Sequence, residues 1–168
     1  MYVNTLIAKQ SFGLDIESVF DFFSKPENLE LITPRNLNFK ILTPSPIRMR
    51  QGLLVKYTIK LSSIPLSWKT LISKFDPPNI FIDEQISGPY SRWHHTHYFT
   101  YKNNQTTVKD KVEYVVPYGF IGTVVNRFYI RKMLRSIFEY RFYTIAKIFK
   151  EKYPNTFIQS DNPMVIIK

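Results

Sequence analysis

The stretch GTVVNRFYIRKMLRSIFEYRFYTIAKIFK, residues 122–150, contains no glycine after its first residue and no proline at all. Either residue inside a helix weakens or breaks it, so this run predicts one long helix. What precedes it is different in kind. From Leu37 to Val116 apolar residues alternate with period two, interrupted by Pro44, Pro46, Gly52, Pro65, Pro77-Pro78, Gly88-Pro89 and Asn103-Asn104. That punctuation, at 8–14-residue spacing, marks about six strands joined as a meander, and therefore an antiparallel sheet. Tyr2 to Phe12 reads as an opening strand. Asp15 then caps a helix carrying Ile16, Val19, Phe20 and Phe23, which Ser24-Lys25-Pro26 ends before a second short helix, Glu27 to Ile32.

The order is β-α-α-β6-α, an α+β fold in which one long C-terminal helix must cover a seven-stranded antiparallel sheet. To meet a single helix the sheet has to curl, and a curled sheet wrapped on one rod packs less densely than two flat layers. A cavity between helix and sheet is the expected outcome, and such cavities hold apolar ligands. Residues 1–150 are read as a single domain and 151–168 as a loosely held tail.

Composition agrees with a packed globule: 168 residues, 44% hydrophobic, 21% charged and 16% aromatic. The absence of cysteine excludes disulfides, thiolate metal sites and a cysteine nucleophile. No window approaches the roughly 18 apolar residues that span a bilayer, and Met1 to Gln10 lacks a basic segment leading into an apolar run, so a cytoplasmic protein is expected. The net charge of +10 favours contact with phosphates of lipid or nucleic acid. Much of it lies in the long helix, where Arg127, Arg131, Lys132, Arg135, Arg141, Lys147 and Lys150 face the single acid Glu139. An ordinary solvated face is one reading, and an anionic membrane surface is the other. Nucleic acid ranks last, for the aromatic pattern of an RNA-recognition motif is missing. Oligomeric state leaves no mark on the sequence.

All three histidines lie in DEQISGPYSRWHHTHYF, residues 83–99. On a strand Trp93, His95, His97 and Phe99 share one face. If Asn103-Asn104 forms a two-residue hairpin turn, cross-strand partners sum to 207, pairing His97 with Asp110, His95 with Val112 and Trp93 with Tyr114. His97 thereby gains a carboxylate that favours its imidazolium form, suited to a proton donor or to gripping an anion. The register across Gly88-Pro89 stays open: a two-residue loop sets Asp83 opposite His94, whereas a one-residue bulge sets it opposite His95. Only the bulge gathers Asp83, Gln85, Trp93, His95, His97, Asp110 and Tyr114 on one face. His95-x-His97 offers two metal ligands rather than three or four, so no metal is expected. Catalysis by His97 with Asp110 is a candidate, but a His–Asp pair alone names no reaction.

The helix's apolar stripe reads Ile130, Leu134, Ile137, Phe138, Ile145 and Ile148, with Arg141 near its centre. An arginine there faces the sheet and must meet a carboxylate, carbonyls or a ligand acid. Tyr57, Ile59 and Leu61, with Trp68, Thr70 and Ile72, alternate so as to line the same concavity or simply pack the core.

Several strings carry a resemblance: Leu31-Ile32-Thr33-Pro34; Ile64-Pro65-Leu66-x-Trp68; Asp83-Glu84-Gln85-x-x-Gly88-Pro89-Tyr90; Trp93-x-His95-x-His97-x-Phe99; Asp110-x-Val112-x-Tyr114-x-x-Pro117-x-Gly119; and Ile137-Phe138-x-Tyr140-Arg141. With the element order, they resemble the helix-grip fold of the SRPBCC superfamily, which includes START lipid-binding domains, polyketide cyclases and quinone-binding proteins. The resemblance runs from about Val3 to Ile148. The curled sheet and the polar side chains on otherwise apolar faces lead to the expectation of a carrier or sensor of a hydrophobic small molecule, without cofactor, with Trp68, Trp93 and Tyr114 as apolar walls and Tyr57 and Phe138 among the ligand-binding residues. The ligand's polar end would meet His95, His97 and Arg141, beside Asp83 and Gln85. A cyclase or dehydratase using His97 and Asp110 is the enzymatic alternative.

Overall fold

In the computed structural model, which describes residues 2–61 and 64–168, a strongly curved antiparallel sheet holds the long helix against its concave face. Strand β1 (Asn4–Phe12) leads through Asp15, whose carboxylate accepts the Ser18 N–H at 2.7 Å, into helix α1 (Ile16–Phe23) and then α2 (Asn28–Ile32). The meander follows as β2 (Lys40–Ile41), β3 (Leu54–Leu61), β4 (Ile64–Asp76), β5 (Ile80–Ser87), β6 (Arg92–Lys102) and β7 (Gln105–Val115). Sheet order is β2-β3-β4-β5-β6-β7-β1-β8, where β8 is Met164–Ile167. The Leu61 side chain, read as a possible cavity liner, lies outside the described residues.

Two expectations need correction. The sheet has eight strands rather than seven, because residues 151–168 are no loose tail: β8 pairs with β1 from Leu6↔Ile167 to Lys9↔Met164. Gly13 N–H to the Phe157 carbonyl (2.7 Å) and Gln159 N–H to the Ser11 carbonyl (3.0 Å) stitch the connection to the same strand. The alternation of Met164 to Ile167 is too short to stand out by itself, and only the unpaired edge of β1 makes it a strand. The second correction concerns the terminal helix. It starts earlier than expected, as α3 (Gly119–Val125), passes through a wide π turn at Asn126–Ile130, and continues as α4 (Arg131–Lys152).

The core falls into two apolar clusters along the rod. One gathers Phe12, Phe20, Phe81, Phe99, Val108, Ile145 and Phe149; the other gathers Leu6, Trp68, Tyr90, Val112, Tyr114, Leu134 and Phe138. The polar residues stand between them. Reading along β6 gives Phe99, then His97 and His95, then Trp93; along β7 it gives Val108, Asp110, Val112; along α4, Ile145, Arg141, Phe138. Three neighbouring elements thus break their apolar rows at one level, and a polar belt crosses the interior. Along α4 the buried side chains are Leu134, Phe138, Phe142, Ile145, Ala146 and Phe149, a stripe wider than the one read from spacing.

Candidate functional site

The belt depends on registers that the turns set. Asn103 and Asn104 both take positive φ, 53° and 59°, as a two-residue type I′ hairpin requires. The resulting register pairs His97 with Asp110, His95 with Val112 and Trp93 with Tyr114. At Gly88-Pro89 the turn carries the extra residue, for Asp83 stands opposite His95. Two carboxylates therefore flank two imidazoles on the concave face.

Each histidine reaches both aspartates. The His97 Nε2–H donates to Asp83 Oδ2 at 3.0 Å, and its Nδ1 lies 2.7 Å from Asp110 Oδ1, a charge contact not aligned as a hydrogen bond. The His95 Nε2–H donates to Asp110 Oδ1 at 3.1 Å, with its Nδ1 3.5 Å from Asp83 Oδ2. The imidazole rings lie 3.8 Å apart, and Phe81 stacks on His97 at 4.0 Å.

Burial governs the electrostatics. It would raise the Asp83 carboxyl, yet His95, His97 and Arg141 outweigh it and hold that carboxyl below the ordinary range. The same contest, won by His97 and His95, holds Asp110 below the ordinary range as well. Burial lowers both imidazoles. For His95 the charge of His97 adds to it and the ring stays on the neutral side, whereas Asp110 and Asp83 overcome it at His97 and raise that group. Of the two imidazoles, His97 is therefore the one whose charged form its surroundings favour.

Arg141 is the odd member. Its Nε is buried without a hydrogen-bond partner, and no carboxylate lies within 4.0 Å of its guanidinium among the described residues. Its own helix offers the Phe138 ring, 5.0 Å away, as a weak cation–π neighbour. Of the partners its position on the stripe allowed, no carboxylate pairs with it among the described residues, although Asp110 and Asp83 lie near enough to act on it through their charge.

Beside Arg141 opens a cavity of about 160 Å³. That is about ten times the ~10–15 Å³ one water needs, and close to the ~150 Å³ of an apolar void that admits benzene. Of the residues the sequence nominated, Tyr57, Trp68, Asp83, Trp93, His95, His97, Phe138 and Arg141 line it. Three do not. Gln85 turns to the backbone of Tyr90, bonding its carbonyl at 2.6 Å; Tyr114 donates to Asn126 Oδ1 at 3.0 Å; and Asp110 lies behind the imidazoles. Among the lining residues that the reading missed are Tyr90, Phe39, Met49 and Met133. Phe39 and Met49 lie within the stretch read as strands but outside the strands that form, and Tyr90 enters only because the bulged turn folds it onto Trp68.

Asp83, His95 and His97 bring one oxygen and two nitrogens within 4.8 Å of one another, enough donors for a divalent ion, with Asp110 behind both rings. In the arrangement described, those donors are engaged with one another.

No protein-family model matches the chain, and no curated protein is similar to it in sequence. Solved structures are similar in fold. Protein Ms6760 from Mycobacterium smegmatis superposes with a TM-score of 0.64 at 14% identity, over 89% of this chain and 92% of that one. The Zhui aromatase/cyclase from Streptomyces sp. R1128 gives 0.64 at 9% identity, over 92% and 99%. The ginseng major latex-like protein 151 from Panax ginseng gives 0.54 at 15%, over 69% and 81%. The fold is the helix grip that the sequence resemblance implied.

Proposed function

We propose that this protein binds and carries a hydrophobic small molecule, lipid-, polyketide- or quinone-like, between α4 and the sheet, with an oxygen-bearing end at Arg141. One observation carries the reading: on the wall of an apolar cavity stands the half-buried Arg141, whose buried Nε has no hydrogen-bond partner and which forms no ion pair among the described residues. Leaving such a group unpaired is costly, and a ligand carboxylate or carbonyl offsets that cost. Trp68, Trp93 and Tyr90 supply flat apolar walls, which suits one or two rings or a short acyl chain.

Mass spectrometry of molecules extracted from the purified protein tests the ligand class, and titration with 2-naphthoate and its methyl ester tests the site. Both should quench Trp68 and Trp93. Arg141→Met should weaken the acid by about tenfold or more, and the ester far less. Absence of quenching by either probe, or equal affinity of the variant for the acid, overturns the reading.

A second reading is acid/base catalysis, and the observation favouring it is a raised imidazolium on the cavity wall, His97, braced by Asp83 and Asp110. A similar fold is named an aromatase/cyclase. His97→Gln would then abolish turnover while binding survives, and parallel loss of both rejects catalysis.

A further inference from the structure

The cavity accounts for the concave side but not for the first turns of the terminal helix. Of Gly119 to Tyr129 only Gly122 and Asn126 are buried. Phe120 is 83% exposed, Phe128 73% and Ile121 68%, with Val124, Val125 and Tyr118 beside them also in solvent. Surface helices ordinarily turn such residues inward, and soluble proteins rarely leave a contiguous apolar patch of this kind uncovered.

The segment is held by means other than its apolar side chains. A Cβ at Gly122 would stand 1.9 Å from the Pro117 carbonyl oxygen, so the backbone comes as close as glycine permits. Asn126 donates to Asn4 Oδ1 at 2.8 Å and accepts the Tyr114 hydroxyl at 3.0 Å, while Arg131 reaches the same Asn4 oxygen at 3.0 Å. A glycine and a buried amide seat the helix, and its apolar groups are left facing outward.

Charge identifies the occupant. Between Val116 and Phe138 the chain has Arg127, Arg131, Lys132 and Arg135 and no acid. Arg127 and Lys132 are exposed next to Phe128. Apolar side chains interleaved with cations, on a helix that no window makes apolar enough to cross a membrane, match an element lying in the interface of an anionic bilayer. We propose that Tyr118 to Lys132 docks this protein on anionic membranes, Phe120, Ile121 and Phe128 entering the acyl boundary while Arg127 and Lys132 meet lipid phosphates. Docking gives the excess positive charge of the chain a use that cavity binding does not.

Co-sedimentation with vesicles of phosphatidylcholine, alone or with roughly one third phosphatidylglycerol, tests this. Binding to the mixed vesicles, little to the neutral ones, and about tenfold or greater weakening between ~0.05 and ~0.5 M salt are expected. Phe120→Ser with Phe128→Ser should lower partitioning by at least about tenfold while far-UV circular dichroism is unchanged, because both side chains are solvent-exposed. As the chain has no cysteine, Phe128→Cys carrying an environment-sensitive fluorophore reports insertion directly by a blue shift on anionic vesicles. No association with mixed vesicles overturns the proposal, as does undiminished binding by the double variant. A double variant that only dissociates a dimer, or a fluorophore shifted by RNA and not by vesicles, overturns it in favour of those partners.

Discussion

Asp110 is the residue on which the interior charges turn. It contacts both imidazoles, and replacing it with asparagine leaves the His97 imidazolium facing an amide that carries no charge. Asp110→Asn is expected to cost about 3–5 kcal/mol of stability, the range for breaking a buried pair, measured by urea unfolding. Ligand binding should move a proton. The groups facing His95 are Asp83 on β5, His97 on β6 and Asp110 on β7, with Arg141 of α4 on the same cavity wall. An acid bound at Arg141 adds a negative charge and favours protonation of His95, so calorimetry in two buffers of different ionisation enthalpy should detect proton uptake with 2-naphthoate and none with the ester. Much of this cluster was legible. Asn103-Asn104 announced its own turn, and counting outward from it placed Asp110 against His97. Gly88-Pro89 did not say whether it carries a bulge, so Asp83 had two addresses until the backbone was seen. Nor does spacing reveal which groups the aspartates bond, so the unpartnered Nε of Arg141 emerged only from the structure.

At the scale of elements, the terminal helix was legible in its existence and not in its shape. A run free of glycine and proline predicts an uninterrupted rod, yet Asn126 reaches Asn4 and Tyr114, and the turn widens at that point. Nothing in a helical wheel anticipates a side chain that prefers a distant strand. Asn126→Ala should remove the acceptor of the Tyr114 hydroxyl and one of the two donors to Asn4 Oδ1 and cost about 1–3 kcal/mol, with hydrogen exchange accelerated first in α3. Gly122→Ala should be comparably harmful through overpacking against Pro117, again about 1–3 kcal/mol. The segment from 151 onward was misread for a related reason: pairing partners are non-local, and β8 exists only because β1 lies waiting at the rim.

Across the whole molecule, acid should be more damaging than base. Asp83 and Asp110 titrate below their unfolded value near 4, so the stability they confer is present above that value and lost as pH falls through and beneath it. His95 acts in the same sense below its unfolded value near 6.5, where the opened chain takes up a proton that the buried ring resists. His97 has the opposite sign, its contribution being complete in acid and fading as pH rises through its elevated value. The two imidazoles act on opposite sides of about pH 6.5, His95 below it and His97 above it, and together place the stability maximum there. Thermal melting should therefore be highest near that pH and drop steeply below about pH 4, a fall that Asp110→Asn flattens. The sheet's outline has a last consequence. Its two rims are its shortest strands, β2 with two residues and β8 with four, so a neighbouring chain in a crowded solution finds almost nothing to zip onto. Ending the chain at Asn162 would bare the stretch of β1 from Leu6 to Lys9, which β8 covers, to any passing copy. Light scattering should then detect fibrous or oligomeric growth that the intact molecule resists.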